Sequence, residues 1–408
     1  MFRIRSSNTP YQSSLRPIIN AAVGLLSAAR LLPNSLEFDE IVRAATFSAG
    51  SHDFGGDDWS EPLGLLLEGY SSSAKLTDLG RIVARHLVVS LLSNRLRMVE
   101  RAQTLGDLPE VIEPVFILGL PRTGSTMLHE LLGLHPSFQS PKLWQADFLP
   151  KNDWTDGGRM LKSHLRTRFV DLISPGFSSI HRLGALLPHE CVSIQALSFR
   201  SMQFHAIHKV DRYHNWLRDC DWGPAYLWHE KYLGLLSYGV KRRRWLLKAP
   251  GHMLGISALL ERYPDAKFVQ LHRHPTEVIP SMASLYASLR SGSSGVIEFY
   301  ELGRSLLEEW RLGLKRVLEL RKSDALIEGR FLDVNYKEAT TDPLGVAKDI
   351  TRFLGLSYDE ATRLKMEDYL KDNPKGKHGS HRYDLSFFGL EDRDITQAFG
   401  EYIDAYNL

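Results

Sequence analysis

Residues 115–126 read VFILGLPRTGST, and this stretch decides the fold of the chain. Its first half is a short apolar run, as expected of a strand that is buried on both faces. Its second half has Gly119 and Gly124 at the spacing of the motif GxxxxGK followed by Ser or Thr, and Thr126 stands at the final hydroxyl position. A helix is predicted over 127–134. The order of strand, glycine-rich turn and helix predicts an oxyanion site made of backbone N–H groups at a helix N-terminus.

The turn differs from that motif at one position. Ser125 stands where nucleoside triphosphatases carry a lysine that neutralises the β- and γ-phosphate oxygens. A turn without this lysine suits a ligand with less charge at that end. Arg122, which lies inside the turn, can supply a cation from another direction.

Three later segments have the composition of buried strands, and helical stretches lie between them. This alternation predicts an α/β fold, namely a P-loop NTPase-like parallel sheet with right-handed crossovers and flanking helices. Ligands of such sheets bind at the carboxyl ends of the strands, where the glycine-rich turn also lies. The three segments are 245–247, 267–271 and 331–334.

The chain divides into regions of different character. We predict an N-terminal helical region over 1–110, where apolar residues recur at helical spacing, and a main domain over 111–408. Within that domain, 140–235 is rich in aromatic residues and is predicted as an insertion on the substrate side, although core packing is the simpler explanation of each ring. The apolar run 18–29 predicts a docked helix rather than a secretion signal, and the stretch 291–295, rich in Ser and Gly, predicts a mobile loop.

A second anion site is predicted at the end of the strand 267–271. Arg273 follows that strand and Ser281 falls in the early turns of the next helix, so a guanidinium and a hydroxyl could converge on one oxyanion. A surface salt bridge is the simpler explanation of Arg273 taken alone. Two anion sites suit a nucleotide with separate 3′- and 5′-phosphate groups better than a magnesium-bound triphosphate.

The composition limits the partners and the compartment. The 408 residues carry a formal net charge of only +2, so nothing global indicates nucleic-acid binding. The two cysteines, Cys191 and Cys220, fit a reduced cytoplasmic compartment better than a disulfide framework. Metal-ligand spacings such as CxxC are absent, and so is any apolar run of about 18 residues. The sequence therefore predicts neither a metal site nor a membrane span.

Together, these segments resemble the sulfotransferase superfamily, in particular its large bacterial-type family of soluble sulfotransferases, from Val115 to Leu390. The resemblance implies 3′-phosphoadenosine-5′-phosphosulfate (PAPS) as donor and 3′,5′-adenosine bisphosphate (PAP) as product. It also implies an acceptor hydroxyl or amine on an unidentified small molecule, lipid or carbohydrate. The resemblance assigns the 3′-phosphate to Arg273 and Ser281, and it assigns the 5′-phosphosulfate to Arg122, Thr123, Gly124, Ser125 and Thr126.

Three further segments carry the resemblance. The stretch WLLKAPGH is similar to the family's strand with a characteristic lysine, here Lys248, and a nearby catalytic histidine, here His252. Tyr336 resembles the tyrosine that touches adenine. Lys375 and Gly376 resemble part of the C-terminal loop that closes over the nucleotide.

The chain departs from the family pattern at three positions. Met127 stands where many relatives stack a tryptophan on adenine, and Pro374 replaces an arginine that often precedes the Lys-Gly pair. Gln145 stands near the place where several relatives carry a glutamate, so a glutamate base is not available there.

The chemistry requires a base, because the acceptor must lose a proton while the leaving phosphate gains charge. The first candidate is His252, which lies just beyond a strand end, with Lys248 and Arg122 stabilising the bridging oxygen. The second candidate is Glu190, since a carboxylate base is known in parts of the superfamily. Simpler explanations are a helix cap for His252 and a structural carboxylate for Glu190.

Two other functions stay open at this point. One is a P-loop kinase or nucleotide hydrolase, against which the missing lysine argues. The other is a catalytically inactive nucleotide-binding homologue, against which the joint presence of Arg122, Lys248 and His252 argues. The sequence does not specify the oligomeric state.

Overall fold

The computed structural model describes residues 16–147, 156–174, 183–373 and 384–408. One sheet lies at its centre. The strands of this sheet are β1 (Val115–Gly119), β2 (Phe138–Gln139), β3 (Arg244–Lys248), β4 (Lys267–His272) and β5 (Phe331–Asn335). All neighbours pair in parallel, in the order β2-β3-β1-β4-β5. This topology confirms the predicted α/β fold.

Helices surround the sheet. The helices before β1 are α1 (Arg16–Ala28), α2 (Phe38–Ala49), α3 (Ser60–Ser72) and α4 (Asp78–Leu105). Those between β1 and β3 are α5 (Ser125–Leu132), α6 (Leu143–Asp147), α7 (Asp156–Ile173), α8 (Val192–Gln195), α9 (Gln203–Ile207), α10 (Asp211–Asp219) and α11 (Gly223–Ser237). Those after β3 are α12 (Ile256–Arg262), α13 (Pro275–Ser291), α14 (Phe299–Ser323), α15 (Ala325–Glu328), α16 (Tyr336–Thr341), α17 (Pro343–Phe353), α18 (Glu360–Asp372) and α19 (Asp392–Tyr406). Short 3₁₀ turns are Ala196–Ser198, Pro250–Met253 and Leu385–Phe388.

The central strand β1 is buried along its whole length, between β3 and β4. Because all three strands run in the same direction, their carboxyl ends lie at one edge of the sheet. That edge brings together the glycine-rich turn, Lys248 and Arg273. The four predicted strands are confirmed, and each of their ends lies within one residue of its predicted position. The fifth strand, β2, has only two residues, too few to show a periodic pattern.

Alternate side chains of the strands enter two apolar cores, one on each face of the sheet. Phe116 and Phe268 belong to the larger core, whereas Ile117 and Val269 belong to the smaller one, to which α5 and α17 also contribute. Since both faces are covered, β1 carries apolar residues at successive positions, and this is why it reads as a continuous apolar run.

The N-terminal helices share the larger core with the sheet, for example through Leu63 and Leu92. Helix α1 docks on α4, where the backbone N–H of Leu79 donates to the Asn20 side-chain oxygen at 3.1 Å. The docked helix is therefore confirmed, while the boundary near residue 110 stays a prediction. Among the described residues, we find no helix that is both long and apolar enough to cross a bilayer.

The stretch 291–295 is a part of the packed interior, so the prediction of a mobile loop was wrong. Ser293 and Ser294 are buried, and the Ser293 carbonyl accepts from the backbone N–H of Thr77 at 3.0 Å. Small residues allow this close approach to the start of α4. A side chain at Gly80 would begin only 2.0 Å from the same carbonyl oxygen.

Candidate active site

The glycine-rich turn links β1 to α5 through a left-handed backbone. Gly119 has φ +132°, and a Cβ atom there would lie 2.6 Å from the carbonyl oxygen of Leu271 on β4. Gly124 has φ +84° and immediately precedes α5. Arg122 also lies at positive φ, 69°, which costs a residue with a side chain about 1–3 kcal/mol. The turn therefore holds a strained conformation at the N-terminus of a helix, as an anion-binding turn requires.

Four residues of the predicted donor site converge beside this turn. The Arg122 Nε atom donates to Ser281 Oγ of α13 at 3.3 Å, and Arg273 donates from its guanidinium to the Arg122 carbonyl at 2.8 Å. The Arg273 guanidinium carbon lies 4.0 Å from the centre of the Tyr336 ring. This ring also lies 3.5 Å from the position of a Cβ at Gly124. The predicted 5′ and 3′ anion sites are thus adjacent.

The electrostatics of this cluster favour an anion. Burial, and then the charge of Arg273, lower the pKa of Arg122. Two positive charges held this close repel each other. An anion bound between them would offset that repulsion. Arg273 is balanced in part by Glu277, to which its Nε donates at 2.9 Å.

A second cluster lies at the end of β3. The Lys248 side chain is only 3% exposed, and its ammonium donates to Glu190 Oε1 at 2.5 Å and to Thr126 Oγ1 at 3.1 Å. The backbone N–H of Cys191 donates to the Lys248 carbonyl at 2.9 Å, which fixes the chain that carries Glu190 against the strand. A buried ammonium, a carboxylate and the last residue of the glycine-rich motif therefore meet at one point.

These three side chains line a small cavity together with His189 and several apolar residues. The wall includes Leu143, Leu187 and Pro188, and it also includes Leu183. The sequence did not reveal these residues, because leucines at irregular spacing carry no signal that separates a pocket from a core. The apolar residues of this wall all lie within the segment 140–235 that was predicted on the substrate side, whereas the most buried rings of that segment are core residues, among them Tyr213, Tyr226, Trp228 and Tyr232.

His252, the first candidate for the base, lies elsewhere. Its side chain is completely buried, and its Nδ1 atom is hydrogen-bonded to the Tyr226 hydroxyl at 3.0 Å. Burial, and then His229, lower the pKa of His252 well below its ordinary value. It is not among the described residues that line the cavity with Glu190. The geometry therefore argues against His252 and favours Glu190 as the base, and the assignment stays a prediction.

The remaining predicted site residues have different positions. Thr123 is buried and donates from its hydroxyl to the Leu120 carbonyl at 2.8 Å, so this hydroxyl stabilises the turn itself. Ser125 is the first residue of α5. Lys375 and Gly376, predicted in a loop over the nucleotide, lie outside the described residues.

Comparison with known proteins places the fold in a family. The model of the Sulfotransferase family matches residues 114–360. Sulfotransferase STF1 from Mycobacterium tuberculosis H37Rv has a solved structure with a TM-score of 0.77 and 31% identity, covering 89% of this chain and 98% of that one. The structure of sulfotransferase STF9 from Mycobacterium avium has a TM-score of 0.81 and 26% identity, covering 90% and 96%. Omega-hydroxy-beta-dihydromenaquinone-9 sulfotransferase Stf3 from Mycobacterium bovis is 26% identical over 304 residues, 72% of this chain and 74% of the relative.

The family match includes the whole sheet, the glycine-rich turn and both charged clusters. It decides against the kinase or hydrolase alternative, for which the turn also lacks the lysine. A transferase function follows, and the chain belongs to the sulfotransferase family.

Proposed function

We propose that this protein transfers the sulfuryl group of PAPS to a hydroxyl group of an apolar, lipid-like acceptor, with Glu190 as the base. The observation that carries the proposal is the Lys248–Glu190 ion pair. It lies against Thr126, the last residue of the glycine-rich motif, at the mouth of an apolar cavity. The sulfuryl group of the donor and the hydroxyl group of the acceptor would therefore meet beside the Glu190 carboxylate and the Lys248 ammonium.

The described residues fit PAPS at both of its anionic ends. The turn and the N-terminus of α5 suit the 5′-phosphosulfate, because Gly119 and Gly124 give the backbone close access to an oxyanion. The pair of Arg122 and Arg273, with the Ser281 hydroxyl, suits the 3′-phosphate. Tyr336 lies between these two sites and offers a ring to the adenosine.

In the proposed reaction, Glu190 accepts the proton of the acceptor hydroxyl as the oxygen attacks sulfur. A new O–S bond forms, the bridging S–O bond breaks, and PAP leaves with the bonding electron pair. Lys248 neutralises the charge that develops on the bridging oxygen. The Lys248 ammonium is paired with Glu190. Binding of the phosphosulfate would draw the ammonium toward the donor, so that the carboxylate becomes available as a base.

The acceptor class is supported by the apolar residues of the cavity and by an exposed apolar surface on α7. Helix α7 packs on α6, which contributes Leu143 to the cavity. Exposed apolar residues on α7 follow a helical spacing: Leu161, Leu165, Phe169 and Leu172. Such a surface suits an acceptor with a long apolar part. The name of the relative Stf3 describes a hydroxylated menaquinone derivative as its acceptor, which agrees with this class.

A transfer assay tests the proposal. The purified protein is incubated with ³⁵S-labelled PAPS and a panel of long-chain alcohols, hydroxylated isoprenoids, phenols and sugars. We expect transfer to apolar alcohols, with the sugars inactive. Transfer to sugars in preference to apolar alcohols would contradict the acceptor class, and consumption of ATP without use of PAPS would contradict the donor.

The cytoplasmic location predicted from the cysteine content stays a prediction.

A further inference from the structure

A cluster of metal-ligating side chains lies behind the ion pair. Cys191, at the start of α8, His229 on α11 and His252 after β3 are all completely buried. The Cys191 sulfur and one nitrogen from each ring lie within 4.8 Å of one another. From this geometry we infer that Cys191, His229 and His252 form a binding site for a thiophilic divalent transition-metal ion of the zinc type.

The hydrogen bonds of the two rings leave the same atom available in each. The Nδ1 atom of His229 is bonded to the Tyr263 hydroxyl at 2.7 Å, and that of His252 to the Tyr226 hydroxyl at 3.0 Å and to the Gln195 side-chain amide at 3.4 Å. Among the described residues, neither Nε2 atom has a hydrogen-bond partner, although both are buried. The large majority of buried side-chain polar atoms have a hydrogen-bond partner, so two such atoms in one cluster call for an explanation.

A bound metal ion satisfies both nitrogens at once. Metal-ligating histidines usually donate their second ring N–H to a polar neighbour, which fixes the tautomer. Here Tyr226 and Tyr263 occupy the positions of those neighbours. The two ring centres lie 5.9 Å apart, and about 5 Å is expected for two imidazoles on a tetrahedral zinc with Zn–N distances of about 2.0–2.1 Å. Small side-chain rotations therefore close the site.

The protonation states suit the same ligand. Burial lowers the pKa of His229 to about 3 and lowers the pKa of His252 well below its ordinary value, so both rings are neutral and offer a lone pair at neutral pH. Burial raises the pKa of Cys191 to about 12, so the thiol is protonated without metal. Metal binding would release that proton to solvent as the S–metal bond forms. A thiolate with two imidazoles selects zinc-like ions over magnesium or calcium.

A second cluster of similar composition lacks these properties. His205, His214 and Glu309 are also buried and close together. However, the two rings are stacked in parallel, 3.8 Å apart and 4° from coplanar, so their in-plane lone pairs cannot point at one ion. His214 Nε2 is already bonded to Glu309 at 2.6 Å, and the His205 ring to Ser305 at 3.2 Å. The Cys191 cluster is therefore the better metal site of the two.

The site would support the active centre from behind. Cys191 follows Glu190 in the chain, and its backbone N–H holds the Lys248 carbonyl. A metal ion on Cys191 would therefore fix the backbone that positions both members of the ion pair. This consequence, unlike the metal site itself, rests on the proposed function. The sequence predicted no metal site because the three ligands lie far apart along the chain, in no recognisable spacing.

Cobalt binding tests the site without any use of activity. The full-length protein is stripped with a chelator and titrated with Co²⁺, whose bond to a thiolate gives a near-ultraviolet charge-transfer band. Because the chain has only two cysteines, the Cys220→Ser variant assigns any such band to Cys191. We expect this variant to bind one equivalent of Co²⁺ with a thiolate band that Zn²⁺ displaces. We expect Cys191→Ser and His229→Gln to lose the band.

The outcomes separate clearly. A Cys220→Ser protein without a thiolate band, or with a band that persists in His229→Gln, would overturn the proposal. If Cys191→Ser does not fold, the Cys220→Ser titration still decides, since it needs no change in the cluster. Metal content measured by mass spectrometry on freshly purified Cys220→Ser protein gives the second readout, and we expect about one zinc-type ion per chain. Loss of sulfuryl transfer with normal cobalt binding would count against the proposed function alone.

Discussion

Replacement of Glu190 by glutamine separates the role of a base from that of a structural carboxylate. The carboxylate is 2.5 Å from the Lys248 ammonium, and glutamine keeps the size and one hydrogen-bond acceptor while it loses the charge. General bases contribute about 100- to 10,000-fold to a rate. We therefore expect the turnover number of Glu190→Gln to fall by that factor, equivalent to about 3–5 kcal/mol in the activation free energy.

Donor binding should respond in the opposite way. Since Glu190 competes with the donor for Lys248, its neutralisation leaves the ammonium available, and the affinity for PAP should be unchanged within about threefold or increased. Turnover is measured with labelled PAPS, and affinity by calorimetry. Glu230→Gln is the matched control, because Glu230 is a partly exposed carboxylate that pairs with Arg262 and is not among the described residues that line the cavity. A Glu190→Gln enzyme that retains more than about a third of the wild-type turnover would refute the assignment of the base.

Three further predictions concern stability, measured by thermal and urea unfolding. Gly80→Ala should destabilise the fold by about 1–3 kcal/mol, because its Cβ meets a backbone carbonyl at 2.0 Å, whereas Gly64→Ala, with nothing within 4 Å, should be neutral or stabilising. Arg321→Met should lower the free energy of unfolding by about 1–3 kcal/mol, because the buried guanidinium pairs with the half-exposed carboxylates of Glu328 and Asp333. Lys322→Met, which removes an exposed ion pair with Glu401, should change it by less than about 0.5 kcal/mol. Burial alone would raise the pKa of Asp333, but the hydrogen bonds from Arg321 outweigh burial and lower this pKa. The ionised Asp333 carboxylate therefore stabilises the fold fully above pH 3.8, and this stabilisation is lost as the pH falls below that value. An Asp333→Asn variant that shows the same loss of stability with acid as the wild type would contradict this assignment.

The sheet could be predicted because its strands are buried on both faces. Residues 115–119 read as an uninterrupted apolar run and 267–271 as a mostly apolar one, and each precedes a turn with a recognisable polar pattern. Local sequence therefore carried the information for β1, β4, Arg122 and Arg273. The same logic failed for 291–295, since small polar residues permit either a mobile loop or a tight packing contact.

The acceptor side of the site was harder to predict, because it depends on which distant segments meet. Glu190 could be named as a candidate, but its contact with Lys248 is decided by how 183–190 folds against β3. The preference for His252 followed from its place beyond a strand end, and a single sequence cannot show that the ring turns into the core beside Tyr226. Cys191, His229 and His252 are far apart in the sequence, so a single sequence could not reveal that they meet in the fold either.

The most direct test of the proposed donor site is a calorimetric titration of the protein with PAP in the absence of metal, beside a titration with ATP and magnesium. We expect PAP to bind at a single site, and ATP to bind far more weakly or not at all. We also expect Ser281→Ala to weaken the binding of PAP about 10- to 150-fold, since a hydrogen bond to a charged group is worth about 1.5–3 kcal/mol. Binding of ATP in preference to PAP, or a PAP affinity that Ser281→Ala leaves unchanged, would contradict the proposed donor site.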